Sequence, residues 1–341
     1  NLTELYDDER IPYSLVIPEY QRSYLWKEEQ FQKLFDNLLN NFGNLNTIIS
    51  KTFFLGAVIF CKSNYKDAKT LIPYDVVDGQ QRLTSLTLLF IILVKNIRLL
   101  KINFENDDNI DKEKTNWLNE EIKLLEEKLN RFIFCERQRV EDRGKIKLFM
   151  PRLIRQEDRR SIISDVFKYS SSISQVVQKY KKYLLDDEYE ISLNDLEDKA
   201  DAQTIKAAWK YFNEQIENLN IKLDADQNDF FYNFVPFKYF NSDNFKVLFN
   251  NKDIDLNEFS TNRPKRLIRL ILLGNFLLKR TYVSLIECRE PNDAYDIFDT
   301  LNTSGLPLTA LETLKPLVVL HCQNKSKIFS ETEAFKYFTD I

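Results

Sequence analysis

The sequence predicts an α+β protein in two parts: a small mixed α/β module over residues 1–100, then a mainly helical domain over residues 101–341. Three observations carry this expectation. In the first hundred residues, short β-branched or apolar runs alternate with amphipathic stretches in the order β-α-β-β-α. After residue 100 an acidic connection (103–112) leads to long helical patterns near 114–134, 157–185, 200–220 and 263–280. Polar, turn-like segments at 186–195 and 241–261 separate them, without low-complexity tracts or internal repeats.

The elements of the first part follow from local pattern. Residues 13–17 read as a strand closed by Pro18, and 18–26 as an ordered polar and aromatic loop. A helix over 27–42 aligns Phe31, Leu34, Phe35, Leu38, Leu39 and Phe42 on one face. The apolar run 53–60 around Gly56 suits a buried strand, and 74–77 a second one. The helix from about Gln80 to Leu100 closes the unit. Its most apolar stretch, Leu86–Val94, ends at Lys95, far short of the ~20 residues a membrane span needs. With no signal peptide either, a cytoplasmic protein is expected.

Composition excludes several classes of chemistry. The formal charge is −4, so any nucleic-acid contact must come from a local patch. Cys61, Cys135, Cys288 and Cys322 lack metal-ligand or redox-motif spacing and are expected to be reduced. The six glycines are too scattered for a Walker A loop or a dinucleotide fingerprint. The only histidine is His321, which leaves little for Ser-His-Asp catalysis or a histidine zinc site. The first residue is not Met and the last lies within a helical pattern, so a fragment of a longer protein is expected, with any HNH-type nuclease centre beyond residue 341. Residues 131–160 carry ten Arg/Lys against five Asp/Glu, which suits either a phosphate-contacting surface or a solvated face. Arg263–Arg280 reads as a buried helix with charged ends.

The most informative stretch is 75–82, Asp-Val-Val-Asp-Gly-Gln-Gln-Arg, running straight into an apolar helix. A strand ends at an acid, turns on one glycine, and enters a helix whose first turn holds two amides and a guanidinium. Free N–H groups and the dipole at a helix start favour anions. Gly79 permits close approach to the backbone, and the Arg82 fork suits phosphate. An ordinary strand–turn–helix capped by Asp78 explains the turn, but not three successive polar residues heading so apolar a helix. A second segment, 295–319, reads as helix–loop–helix. Asn302 stands at the helix exit beside Ser304-Gly305, well placed to reach a base or sugar, and Thr309 with Glu312 forms a capping box.

Pro18-x-Tyr20-Gln21-Arg22-x-Tyr24-x-Trp26, Leu55-Gly56, Val77-Asp78-Gly79-Gln80-Gln81-Arg82-Leu83-Thr84 and Phe298-x-x-Leu301-Asn302-x-x-Gly305-x-x-Leu308-Thr309 occur in that order. Together they resemble the GmrSD-type restriction-endonuclease N-terminal domain family, which is similar to the ParB/sulfiredoxin fold. The motifs cover about 12–100 and 295–318; Glu312 stands where an Asp is frequent, and the middle matches only in helical character. The resemblance implies a bacterial defence protein restricting modified foreign DNA, often with a C-terminal HNH-type nuclease. It implies a nucleotide site at Asp78, Gly79, Gln80, Gln81 and Arg82, with Tyr20, Gln21, Arg22, Phe298 and Asn302 on the matching motifs.

Chemically, the expectation is a nucleoside triphosphate (GTP, ATP or another) against the start of the 80–100 helix. Arg82 and Arg22 would neutralise phosphate, Asp78 would hold Mg²⁺ or orient water, and Gln80 or Gln81 would position that water. Tyr20, Tyr24 and Trp26 offer rings for stacking on a base or for the core. Two other readings stay open. One is a non-hydrolysing ParB-like DNA or nucleotide sensor, which a buried Asp78–Arg82 pair would favour. The other is a structural adaptor whose polar motif stitches two domains together.

Overall fold

The computed structural model describes residues 1–2, 15–19, 21–43, 52–62, 74–105, 112–141, 144–158, 170–186, 188–196, 201–221, 243–249, 262–290, 293–294 and 296–297. The fold is α+β. Strand β1 is Leu15–Ile17, helix α1 Glu28–Gly43, β2 Phe53–Lys62, β3 Tyr74–Asp78 and α2 Gln80–Glu105. Then come α3 (Lys112–Ile133), β4 (Phe134–Glu141), β5 (Gly144–Pro151) and β6 (Leu153–Arg155). Helices α4 (Ser172–Leu185), α5 (Ala202–Ile221) and α6 (Asn262–Arg280) precede β7 (Thr281–Cys288).

Five strands form one mixed sheet in the order β6-β1-β3-β2-β7. β1 runs parallel to β3 and β6, β2 antiparallel to β3, and β7 parallel to β2. The sheet thus takes its three middle strands from the first hundred residues and its two edge strands from the later part of the chain. β4 and β5 make a separate two-stranded ribbon. The four later strands are an addition to the helical pattern expected there. β6 is only three residues long, and β7 follows α6 with no glycine or proline between them, so neither has the punctuation that separates elements in a sequence.

Helix α2 is the axis of the molecule. It is apolar around its whole circumference, as a helix surrounded by protein must be. Leu86, Leu88, Leu89, Phe90, Ile91, Ile92, Leu93 and Val94 are all buried, and α3, α4, α5 and α6 pack around the helix. Gln80–Asn103 is long and apolar enough to cross a bilayer by length and composition, yet 78% of its most apolar window is buried inside the protein. Its polar residues are made compatible with burial by back-bonding: Thr87 Oγ1 donates to Leu83 O and Asn96 Nδ2 to Ile92 O, each at 2.9 Å. The stripe on α1 is buried as expected, with Phe31 lying 6.0 Å from Phe212 of α5 and Phe42 5.4 Å from Phe276 of α6. Helix α6 is the buried helix its pattern implies.

Two buried charged groups tie the later strands to the helices. Arg152 Nε donates to Arg131 O (2.9 Å) and Phe134 O (3.0 Å), joining the end of α3 to the base of the ribbon. Asp158 accepts from Ser170 N (2.7 Å), Ser171 N (2.9 Å), Ser174 Oγ (2.8 Å) and Ser171 Oγ, so its buried carboxylate holds the start of α4.

A smaller apolar cluster contains Ile59, Cys61, Val77, Cys288 and Ala294, with Ile286 and Ile297 packed against it. Cys61 and Cys288 are paired positions on β2 and β7, both buried free thiols. Burial first, then the charges of Asp75, Cys288 and Glu290, pushes the Cys61 thiol from 9.0 up to about 12. The unfolded chain therefore loses this proton before the folded one does. Stability from this group is complete below pH 9.0 and falls as pH rises toward about 12. Cys61→Ala is expected to show a shallower alkaline decline than wild type in urea titrations across that range; identical slopes would count against this origin.

Candidate nucleotide site at the head of α2

The central strand β3 ends at Asp78, and Gly79 turns the chain into α2. Gly79 has φ 93°, and its carbonyl accepts the first helical bond, from Leu83 N at 3.0 Å. Gly79 is therefore the N-cap, and Asp78 is not. The Asp78 carboxylate instead reaches one turn along the helix, where Oδ2 accepts from Arg82 Nη2 at 3.0 Å. Nη1 of the same guanidinium donates to Leu55 O on β2 at 2.8 Å. The pair is neither buried nor free in solvent: the Arg82 and Asp78 side chains are 25% and 31% exposed. Asp78 Oδ1 has no hydrogen-bond partner among the described residues.

Gly56 makes this arrangement possible. It sits at an irregularity of β2 with φ 102°. A Cβ there would lie 1.9 Å from Arg82 Nη1. The missing side chain is the space the guanidinium occupies, which gives the Leu55-Gly56 motif a physical meaning that spacing alone does not reveal.

The two amides face a strap formed by residues 21–27. Gln81 binds it at both ends of its side chain: Nε2 donates to Ser23 O (2.9 Å) and Oε1 accepts from Leu25 N (3.0 Å). Gln80 Nε2 donates to Gln21 Oε1 (2.9 Å), and Gln21 Nε2 donates to Val77 O (2.6 Å). The polar head of α2 thus does have a packing role, contrary to the expectation that it serves none. Arg155, from β6, donates to Gln21 O (3.2 Å) and Arg22 O (3.4 Å). Its part was hidden in the sequence, because only the parallel pairing of β6 with β1 carries it to the strap.

Tyr24 is a core residue, 3% exposed, so it offers no face for stacking on a base. Ser85 Oγ donates to Gln81 O, so the 2.7 Å contact is completed by the Tyr24 hydroxyl donating to Ser85. Burial pushes the Tyr24 phenol above its ordinary value. Tyr24→Phe is expected to destabilise the protein by about 1 kcal/mol, read from urea unfolding; an unchanged midpoint would mean the bond contributes nothing. Trp26 is half-buried against the same core. Tyr20, Phe298 and Asn302 lie outside the described residues. The cluster of Ala294 and Ile297 against Val77 nevertheless brings the start of the second motif segment beside the end of β3.

Two hollows bear on what the site can hold. Beneath Gln80 and Gln81 lies one of about 10 Å³, lined also by Tyr24, Thr84, Arg155 and Asp201; that is room for a water and not for a nucleotide. A wider cleft of about 390 Å³ separates α1 from α5, lined by Glu28, Gln32, Asp36, Tyr211, Gln215, Asn218 and Leu219. Its lining carries two carboxylates and no cation, and burial followed by the charges of Asp36 and Glu28 pushes the Tyr211 phenol up to about 12. That field repels a polyphosphate. Neither of these two hollows is lined by Asp78, Gly79 or Arg82. Among the described residues no group of three or more His, Cys, Asp or Glu forms a metal cluster. Asp78 alone fits the magnesium pattern of one carboxylate completed by phosphate and water.

A family model described as the GmrSD restriction endonuclease, N-terminal domain, matches residues 2–319. No curated protein matches the chain.

Proposed function

This chain belongs to the GmrSD restriction endonuclease N-terminal domain family, and from that membership we propose that it is the nucleotide-binding and hydrolysing sensor of a DNA restriction protein active in the bacterial cytoplasm. The partly exposed Asp78–Arg82 pair at the start of α2 is the observation that carries the reading. A guanidinium is held by a backbone carbonyl and a carboxylate beside the N–H groups of a helix start, in the space that Gly56 leaves open.

The residues divide the work as follows. Arg82 keeps N–H groups that its two bonds do not use and offers them to phosphate. Asp78 Oδ1, the oxygen that Arg82 does not engage, would hold Mg²⁺ or a water, and the ion would supply charge neutralisation on the phosphates. Gly79 is buried against Val58 and Ala57 and serves to turn the chain into α2. Arg22 and Gln21 on the strap would border the ligand, and Tyr20, Phe298 and Asn302, outside the described residues, are further nucleotide-binding positions by motif. The DNA, modified or not, would be sensed by the whole protein and cut by an HNH-type nuclease in a further domain or partner.

Binding without turnover is the second reading, favoured by one observation. Both ends of the Gln81 amide are already bonded to the strap, so neither orients an attacking water unless the strap lifts. Phosphate release and thermal shift with the four NTPs and Mg²⁺ separate the two. Release supports hydrolysis, a shift without release supports the binding module, and neither one sinks both.

A further inference from the structure

The ten Arg/Lys of residues 131–160 do not act as one patch. Arg152 is buried and bonded to Arg131 O and Phe134 O, and Arg155 is spent on the strap. What remains concentrated is a set of four cations, Arg137, Arg139, Lys145 and Lys147, all on β4 and β5. These strands pair in unbroken antiparallel register from Phe134↔Pro151 to Glu141↔Gly144. Among the described residues no third strand joins either edge. The pairs Arg137↔Leu148, Gln138↔Lys147, Arg139↔Ile146 and Val140↔Lys145 put the four cations on four successive rungs. By two-residue alternation, positions 137 and 139 share one face and 145 and 147 the other.

An isolated two-stranded ribbon is marginal by itself, so its base must be anchored. That anchor is present. Phe134 stacks on Tyr180 at 5.8 Å with an interplanar angle of 8°, and Arg152 caps the carbonyls where the ribbon leaves α3. The free length is about 24 Å for seven steps at ~3.4 Å each. A two-stranded ribbon fits the major groove of B-DNA, about 12 Å wide. Cations on both faces suit a position between the two phosphate rails of a groove. Glu136 and Glu141 stand on β4 just outside these rungs, so the two strands carry four cations against two carboxylates; that cationic excess is local in a chain of net charge −4, and a polyanion is its electrostatic complement.

We infer that the β4–β5 ribbon is the arm by which this domain holds duplex DNA, with Arg137, Arg139, Lys145 and Lys147 neutralising backbone phosphates. The binding is independent of base sequence, so it supplies affinity and register while any reading of modification belongs elsewhere. The inference uses the family's action on DNA and does not depend on hydrolysis at Asp78 and Arg82.

The test is fluorescence anisotropy of a short labelled duplex over a series of salt concentrations. Replacing the four ribbon cations by serine is expected to weaken binding and to flatten the slope of log affinity against log salt by about 3 to 4, near one unit for each phosphate no longer neutralised. A control with four exposed lysines elsewhere replaced (Lys27, Lys33, Lys123 and Lys210→Ser) is expected to change the slope by less than about one. Exchanging Arg and Lys within the ribbon is expected to preserve it. Circular dichroism melts check folding; if the fourfold ribbon variant does not fold, Arg139→Ser and Lys145→Ser are each expected to flatten the slope by about one. A wild type that does not bind duplex, an unchanged slope, or an equal loss in the lysine control would overturn the inference. Phosphate release from the ribbon variant is expected to match wild type. Absence of release from wild type would remove the nucleotide reading and leave this one standing.

Discussion

Arg82→Ala is expected to lower the rate of nucleotide hydrolysis by about 10²- to 10³-fold, the usual cost of deleting one preorganised group that stabilises transition-state charge. Phosphoryl transfer asks the protein mainly for position and charge, and at the described head of α2 the fixed positive charge is Arg82. Two bonds hold it, to Leu55 O and to Asp78. Alanine removes the charge and leaves both partners without their donor, so a modest stability loss of about 1–2 kcal/mol accompanies the kinetic effect. Single-turnover rates well below the melting temperature separate the two. A transition-state role lowers kcat and kcat/KM together, whereas simple nucleotide binding raises KM at constant kcat. Arg82→Lys is expected to recover only part of the rate, because a point ammonium cannot span the Leu55 carbonyl and the Asp78 carboxylate as the fork does. Asp78→Ala is expected to fall in the same range by releasing the guanidinium. Undiminished phosphate release in both alanine variants would falsify the hydrolytic assignment, and only the binding reading would survive.

The candidate site was partly legible in the sequence because it is made by neighbours in the chain. Asp78, Gly79, Gln80, Gln81 and Arg82 occupy one strand end and one helical turn, and local pattern is enough to read such a unit. The α1 stripe and the apolar wall of α2 were legible for the same reason. What could not be read depends on partners far away. Arg155 reaches the strap across 134 positions, and Gln81 meets Ser23 across 58. Neither distance leaves a periodic trace. The edge strands were missed on different grounds. β6 has three residues, and β7 begins at Thr281, the residue after Arg280, with no glycine or proline to mark a new element. The amides show a subtler limit. Polar residues at the head of a buried helix look purposeless when only the helix is considered. They acquire a purpose once the strap 21–27 lies over them, because buried backbone groups in a loop need side-chain partners.

Gly56→Ala is expected to destabilise the protein by about 2–4 kcal/mol and to reduce hydrolysis to the level of Arg82→Ala. Two separate costs enter. The backbone at φ 102° is strained for any residue with a Cβ, at roughly 1–2 kcal/mol. The new methyl would also sit 1.9 Å from Arg82 Nη1, so the guanidinium must leave. It is the end of a flexible side chain and moves easily, but leaving breaks its bonds to Leu55 O and Asp78, worth roughly 1–2 kcal/mol together. The second cost exists only while Arg82 is present. In an Arg82→Ala background, Gly56→Ala should therefore cost only the backbone part, and a double-mutant cycle should show a coupling of about 1–2 kcal/mol. Gly79→Ala supplies the contrast. Its φ is 93°, and its Cβ would meet Val58 Cγ2 at 2.9 Å with Ala57 O and the Val58 backbone at 3.3 Å. The loss should be of similar size, yet none of those atoms belongs to Arg82, so the two substitutions should combine additively. Urea unfolding of the three single and two double variants reads both cycles. Additive behaviour for Gly56 with Arg82 would mean that the guanidinium does not occupy the space above that glycine, and the geometry on which the phosphate site depends would be wrong.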